Sequence, residues 1–132
     1  MLQLADARRI IAAATAEAEK IGQPMNIAVV DEGGNLLAFE RMANAWIGSI
    51  DISQSKAWTS RAFDIETKTL GENSQSGDQF FGIHASNGGK VMIFAGGVPL
   101  KANGQVVGAV GVSGGSGEQD QAVAEAVVAA LS

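Results

Sequence analysis

The 132-residue chain has no cysteine, no tyrosine, one histidine and two prolines, and its only aromatic residues are five phenylalanines and two tryptophans. The lack of cysteine excludes disulfides, thiolate catalysis and Cys-bound zinc or iron–sulfur clusters. Positive charge is also scarce. Nine Lys and Arg stand against fourteen Asp and Glu, a net charge of −5, and no basic cluster interrupts the chain. That balance argues against nucleic acid or an anionic membrane as partner. Neither a basic-then-apolar leader nor an apolar run long enough to span a bilayer is visible, so the chain as it stands is expected in the cytoplasm.

What the chain does have is small residues, with 17 glycines and abundant alanine. Small side chains let backbones approach closely, and apolar burial is then completed by packing subunits together. A homo-oligomer is expected. The length suits one domain, residues 1–132, with a core of its own.

Periodicity divides the chain into elements. Ala7, Ile10, Ile11, Ala14, Ala18 and Ile21 form a helical stripe that Gly22 and Pro24 close. Asn26 to Val30 and Leu36 to Arg41, joined by Asp31-Glu32-Gly33-Gly34-Asn35, predict a β-hairpin. The stretch Met42 to Gly48 breaks the alternation around Trp46, which either lines a pocket or covers core or a subunit contact. Ser49 is placed to cap a helix running to about Phe63, on which Ser49, Ser53, Lys56 and Ser60 form one polar stripe. Such a stripe is either one wall of a ligand cleft or a solvated face.

A short helix is expected over Ile65 to Leu70, then an irregular excursion from Glu72 to Gly89 anchored by Phe80, Phe81 and Ile83. Long ordered excursions are usually functional or partner-facing. His84 lies within it, as a surface residue or a metal ligand. Lys90 to Phe94 reads as a strand, and Ala95-Gly96-Gly97 as a positive-φ turn into the strand Val98 to Lys101. Asn103-Gly104 supplies a tight hairpin turn into Gln105 to Val112. The run Ser113 to Gly117 leads into a last helix, opened by a capping box of Ser116 and Gln119, with Ala122, Val123, Ala126, Val127, Ala130 and Leu131 on its apolar stripe. The glycine-rich turn is either an anion cradle or a simple chain reversal; it matches neither a P-loop nor a dinucleotide fingerprint.

Taken in order, NIAVVDEGGNLLAFERM, SIDISQSKAWTSRAF, FAGGVPL and VVGAVGVSGGSGEQD resemble the GlcG/HbpS-type haem-binding domain, also found at the C-terminus of PduO-type proteins. The resemblance covers almost the whole chain. It implies an α/β (α+β), profilin-like fold with a five-stranded antiparallel sheet and packed helices, and large homo-oligomers, including octamers. It also implies haem or another tetrapyrrole as ligand. Family members reported to ligate haem through an early histidine have no counterpart here, because no histidine precedes His84.

Two functional readings follow. In the first, a small-ligand-binding protein holds haem or another carboxylate-bearing molecule in a cleft near a subunit interface, walled by the Ser49-to-Arg61 helix and the Gly96-Gly97-Pro99 turn. Arg41, Lys56 and Arg61 would pair its carboxylates, Trp46, Ser49 and Ser53 would line the cleft, and His84 or Met42 would reach iron. In the second, an enzyme or accessory protein acts on a small catabolic metabolite, with Lys56 binding or activating it and His84 as acid or base. A purely structural accessory subunit is a third possibility.

Overall fold

The computed structural model describes residues 1–131. In chain order the elements are α1 (Leu4–Ile21), β1 (Asn26–Asp31), β2 (Leu36–Arg41), α2 (Gly48–Phe63), α3 (Thr67–Glu72), β3 (Gly97–Ala102), β4 (Gln105–Ser113) and α4 (Gly117–Leu131). Two short 3-10 turns, Ile83–Ala85 and Asn87–Gly89, punctuate the excursion after α3. Among the described residues no helix is long and apolar enough to cross a membrane.

The strands form one antiparallel sheet in the order β2-β1-β4-β3. Strand alternation sends Ile27 and Val29 of β1, Val110 and Val112 of β4, and Val98 and Leu100 of β3 to one face. There they meet Ala7, Ile10, Ile11 and Ala14 of α1 and Val123, Ala124 and Val127 of α4. The opposite face is made of small side chains. Ala28, Val30 and Ala109 lie against Ala57 of α2, with Phe39 packed at the margin. The result is three layers, α1 and α4 on one side and α2 on the other.

The α2 layer sits close because the register pairs Gly97 with Gly111 beneath it. A Cβ at Gly111 would collide with the Ser53 carbonyl and would stand 2.6 Å from the Ala57 nitrogen. A Cβ at Gly97 would stand 2.6 Å from the Lys56 carbonyl. These strand glycines mark a close approach of helix backbone to sheet.

Several sequence expectations are met. The Asn103-Gly104 turn has φ of 53° and 77°, and Gly22 ends α1 in the left-handed region at 75°. The α4 capping box is present: Ser116 Oγ accepts the Gln119 N–H at 3.2 Å, and Gln119 Oε1 accepts the Ser116 N–H at 2.9 Å.

Other expectations are corrected. The sheet has four strands, not five, because Lys90 to Phe94 does not pair with it. That segment lies over α2 and α3 instead: the Met92 N–H donates to Thr59 Oγ1 at 2.9 Å, Val91 is buried, and Ile93 O lies against Gly71. Its apolar residues serve helix packing, which a short apolar run does not distinguish from strand pairing. Only Gly96 of the expected glycine turn has positive φ, 122°; Gly97 already belongs to β3. Ser49 does not cap α2, whose N-cap residue is Ile47, with no side-chain cap. The buried stripe of α4 is Asp120, Gln121, Val123, Ala124 and Val127, while Ala122, Ala130 and Leu131 face outward. The helix is turned so that two polar residues enter the interior.

Gly111→Ala is expected to destabilise the protein by about 1–3 kcal/mol, the usual cost of overpacking. Here the obstacle is helix backbone, which cannot rotate away. Denaturant unfolding checks this: a midpoint equal to wild type would show that α2 does not depend on the contact.

Candidate functional site

The polar stripe of α2 is interior. Ser49, Ser53, Lys56 and Ser60 are all buried, and Lys56 is 1% exposed. The small residues of β4 and β3 bring this face of the helix onto the sheet, so each polar atom must find a partner there. Ser113 Oγ donates to Ser49 Oγ at 3.1 Å, Ser53 Oγ donates to the Ile50 carbonyl at 3.1 Å, and Ser60 Oγ donates to the Ile65 carbonyl at 2.7 Å.

Lys56 is the centre of this arrangement. Its Nζ donates to the Val112 carbonyl at 2.8 Å and to Asp120 Oδ2 at 2.9 Å. Asp120, 5% exposed at its side chain, accepts the Gly115 N–H on Oδ1 at 2.9 Å. Burial pushes the Lys56 ammonium below the usual lysine range, and the Asp120 carboxylate opposes it. Burial likewise pushes the Asp120 carboxyl up, against Lys56 and the backbone donors at Gly115 and Gly114. Desolvation leads in both, so the pair is expensive to bury and is held by its hydrogen bonds.

Neighbouring bonds fasten the glycine turn to the same cluster. The Gly96 N–H donates to Gln121 Oε1 at 3.1 Å and the Gly97 N–H to Thr67 Oγ1 at 2.8 Å. Gln121 Nε2 reaches Glu66 Oε1 at 3.0 Å and Glu125 Oε2 at 3.2 Å. A Cβ at Gly96 would lie 3.0 Å from Lys56 Nζ. The turn and the helix that were expected to wall a cleft are therefore in direct contact within one subunit, and Lys56, Ser49, Ser53, Gly96 and Gly97 form an interior network. Of its partners, Asp120 ends the VVGAVGVSGGSGEQD motif, whereas Gln121 and Thr67 carry little sequence signal, because polar residues at a helix start read as solvated.

The remaining predicted residues fall at separate places on the surface. Arg41 and Trp46 are brought together: an Arg41 guanidinium N–H donates to the Ala45 carbonyl at 3.3 Å, and the guanidinium makes no ion pair among the described residues. Beside it Trp46 is 61% and Ile47 79% exposed. Two exposed apolar side chains thus stand as a ledge on the loop whose preceding carbonyl holds the Arg41 cation. Arg61 is committed elsewhere, to the Glu32 carbonyl at 2.5 Å and to Asp64 at 2.6 Å. Pro99 lines a groove of about 370 Å³ beside edge strand β3, with Val98, Leu100, Lys101 and Leu131. His84 is exposed on the excursion, whereas Lys56, which the enzymatic reading paired with it, is buried. No group of three or more metal-ligating side chains occurs among the described residues.

Residues 2–129 match the family described as haem degrading protein HbpS-like, and the chain belongs to that family. It is 41% identical over 124 residues to a 15.0 kDa protein of the dhaT–dhaS intergenic region of Citrobacter freundii, covering 94% of this chain and 87% of that one. It is 35% identical over 130 residues to the corrinoid adenosyltransferase PduO of the same organism, covering 98% of this chain but only 39% of that protein's length. Among solved structures, the PduOC:haem complex superposes with a TM-score of 0.93 at 33% identity, over 98% of this chain and 94% of the other.

Lys56→Met leaves Asp120 buried without its counter-charge and is expected to cost about 3–5 kcal/mol. Lys56→Met combined with Asp120→Leu should recover most of that loss. In the single variant the Asp120 pKa, already raised by burial, rises further. A carboxyl whose folded pKa exceeds its unfolded value contributes stability that is present below the unfolded value and lost as pH rises through the folded one. The deficit should therefore shrink on acidification toward the ordinary carboxylate range. Urea titrations of the three proteins across pH check this, and a deficit independent of pH would contradict it.

Proposed function

We propose that this protein binds haem on the Arg41, Trp46 and Ile47 ledge, as a homo-oligomer larger than a dimer in which the ligand lies near a subunit interface. The observation that carries the reading is an exposed indole and isoleucine on the loop held by a guanidinium that makes no ion pair among the described residues, in a chain whose structural relative was solved with haem. A porphyrin offers a flat apolar face and carboxylates, the complements of that ledge.

The residues present fit the group. Haem, when bound, would supply an iron, whose usual protein ligands are His, Met, Cys and Tyr. Cysteine and tyrosine are absent. Of the four methionines, Met25 is fully buried, the half-buried Met42 has its sulfur occupied by the Met25 N–H at 3.4 Å, Met92 is half-buried, and Met1 is exposed. His84 is exposed and is the proposed ligand. It stands on the excursion that returns at Lys90 over the Trp58 ring, with Lys90 Nζ 4.5 Å from the ring centroid. Trp46 precedes the first turn of α2, so twelve residues, or about 18 Å of helix, separate the two anchor points. In this reading the imidazole comes from a neighbouring subunit.

The distribution of aromatic side chains supports assembly. Trp46, Phe63, Phe80, Phe81 and Phe94 are exposed, and none of the seven aromatic residues is in the buried core. Exposed aromatic patches of this kind are found where another surface packs.

Titration with haem should give a saturable Soret band. Arg41→Gln and Trp46→Ala should each weaken binding by about tenfold or more. His84→Ala should shift the band with little change in melting temperature. No Soret change at stoichiometric haem overturns the ligand, and a thermal shift with a small carboxylate metabolite in its place favours the catabolic reading. Light scattering that returns a monomer at micromolar concentration overturns the assembly.

A further inference from the structure

Among the described residues one buried side-chain polar atom has no protein hydrogen-bond partner, Asn26 Oδ1. Asn26 is fully buried at the start of β1, opposite Ser113 of β4, and its side chain lies on the α2 face of the sheet with Ala28 and Val30. The amide orientation is fixed by its surroundings. Nδ2 donates to the Trp46 carbonyl at 3.0 Å and lies 3.5 Å from the Ser113 carbonyl. Exchanging nitrogen and oxygen would set the amide oxygen against two carbonyl oxygens, so Oδ1 must be the atom left over.

Oδ1 accepts only, and in this buried corner the cross-strand partner of Asn26, Ser113, has its hydroxyl joined to that of Ser49 at 3.1 Å. Two hydroxyls that share one hydrogen bond still hold one hydrogen to give. Of the cations of this region, Lys56 is committed to Val112 and Asp120, and Arg41, the cross-strand partner of Asn26, donates to the Ala45 carbonyl. No carboxylate belongs to the corner, so a metal ion or ammonium has no counter-charge there. The molecule that satisfies both sides is small and neutral, and it donates to Oδ1 while accepting from a serine hydroxyl.

We infer that a single water molecule is bound at Asn26 Oδ1, in the corner formed by Asn26, Ser49 and Ser113. Buried waters serve otherwise unsatisfied polar groups in this way and are integral to the structures that hold them. This one is part of the anchor of the Met42-to-Gly48 loop, because the same amide grips the Trp46 carbonyl from behind. The exposed indole is thereby held by a fully buried hydrogen-bonded base. The inference rests on the interior geometry and is independent of what binds outside.

A crystal structure that resolves ordered solvent tests it directly. Density is expected at about 2.7–3.2 Å from Oδ1 and within reach of the Ser49 or Ser113 hydroxyl. No density there, whether or not a serine hydroxyl has turned onto Oδ1, overturns it. In solution, oxygen-17 water relaxation dispersion should lose the contribution of one long-lived water in Asn26→Leu. If that variant fails to fold, Ser49→Ala keeps the amide and should shorten the residence of the same water. An unchanged dispersion in the folded variant overturns the assignment.

Discussion

The ammonium of Lys56 is the point at which the layers of this protein are joined. It starts on α2, on one face of the sheet, passes the end of β4 at the Val112 carbonyl, and ends on Asp120 of α4, which packs on the other face. A charge with this little exposure persists only with full compensation, and its partners are compensated in turn. Asp120 takes the Gly115 amide, so the glycine-rich turn before α4 is shaped by the carboxylate it feeds. Gln121, next in sequence, fixes the Gly96 amide. The cost of burying the pair thus specifies the relative placement of α2, the start of β3 and the start of α4.

This dependence is possible only because the sheet is thin where α2 crosses it. Gly97 and Gly111 are paired across β3 and β4 and offer no side chain. The helix backbone comes down onto the strands, and its polar stripe is carried inside with it. The core is accordingly built from alanine, valine and isoleucine, and the large flat side chains are displaced outward. The interior and the sticky exterior have one cause: close backbone packing leaves no interior space for an indole or a phenyl ring, and the surface receives them.

The candidate site divides along the same line. The residues that stand out in sequence as a polar stripe are buried and hydrogen-bonded inside the protein, whereas Trp46, Ile47 and Arg41 are exposed. Their loop is held from beneath by Asn26 and by the Met42 N–H on the Met25 carbonyl. A ledge anchored through backbone carbonyls keeps its side chains free, as a contact surface requires.

Local rules written in the sequence determined the first helix and its glycine stop, both hairpins, the Asn103-Gly104 turn and the capping box of α4, because each depends on a few adjacent residues. The order of motifs also determined the family. Tertiary structure decided what local patterns leave ambiguous. A short apolar run at Lys90 to Phe94 fits a strand or a packing segment, and the surface offered by Thr59 and Gly71 made it the latter. A stripe of Ser, Ser, Lys and Ser on α2 has the same spacing whether it faces water or a partner. Two glycines distant in sequence, Gly97 and Gly111, with Asp120 beyond them, turned it inward, because burial depends on what other parts of the chain bring to the same place.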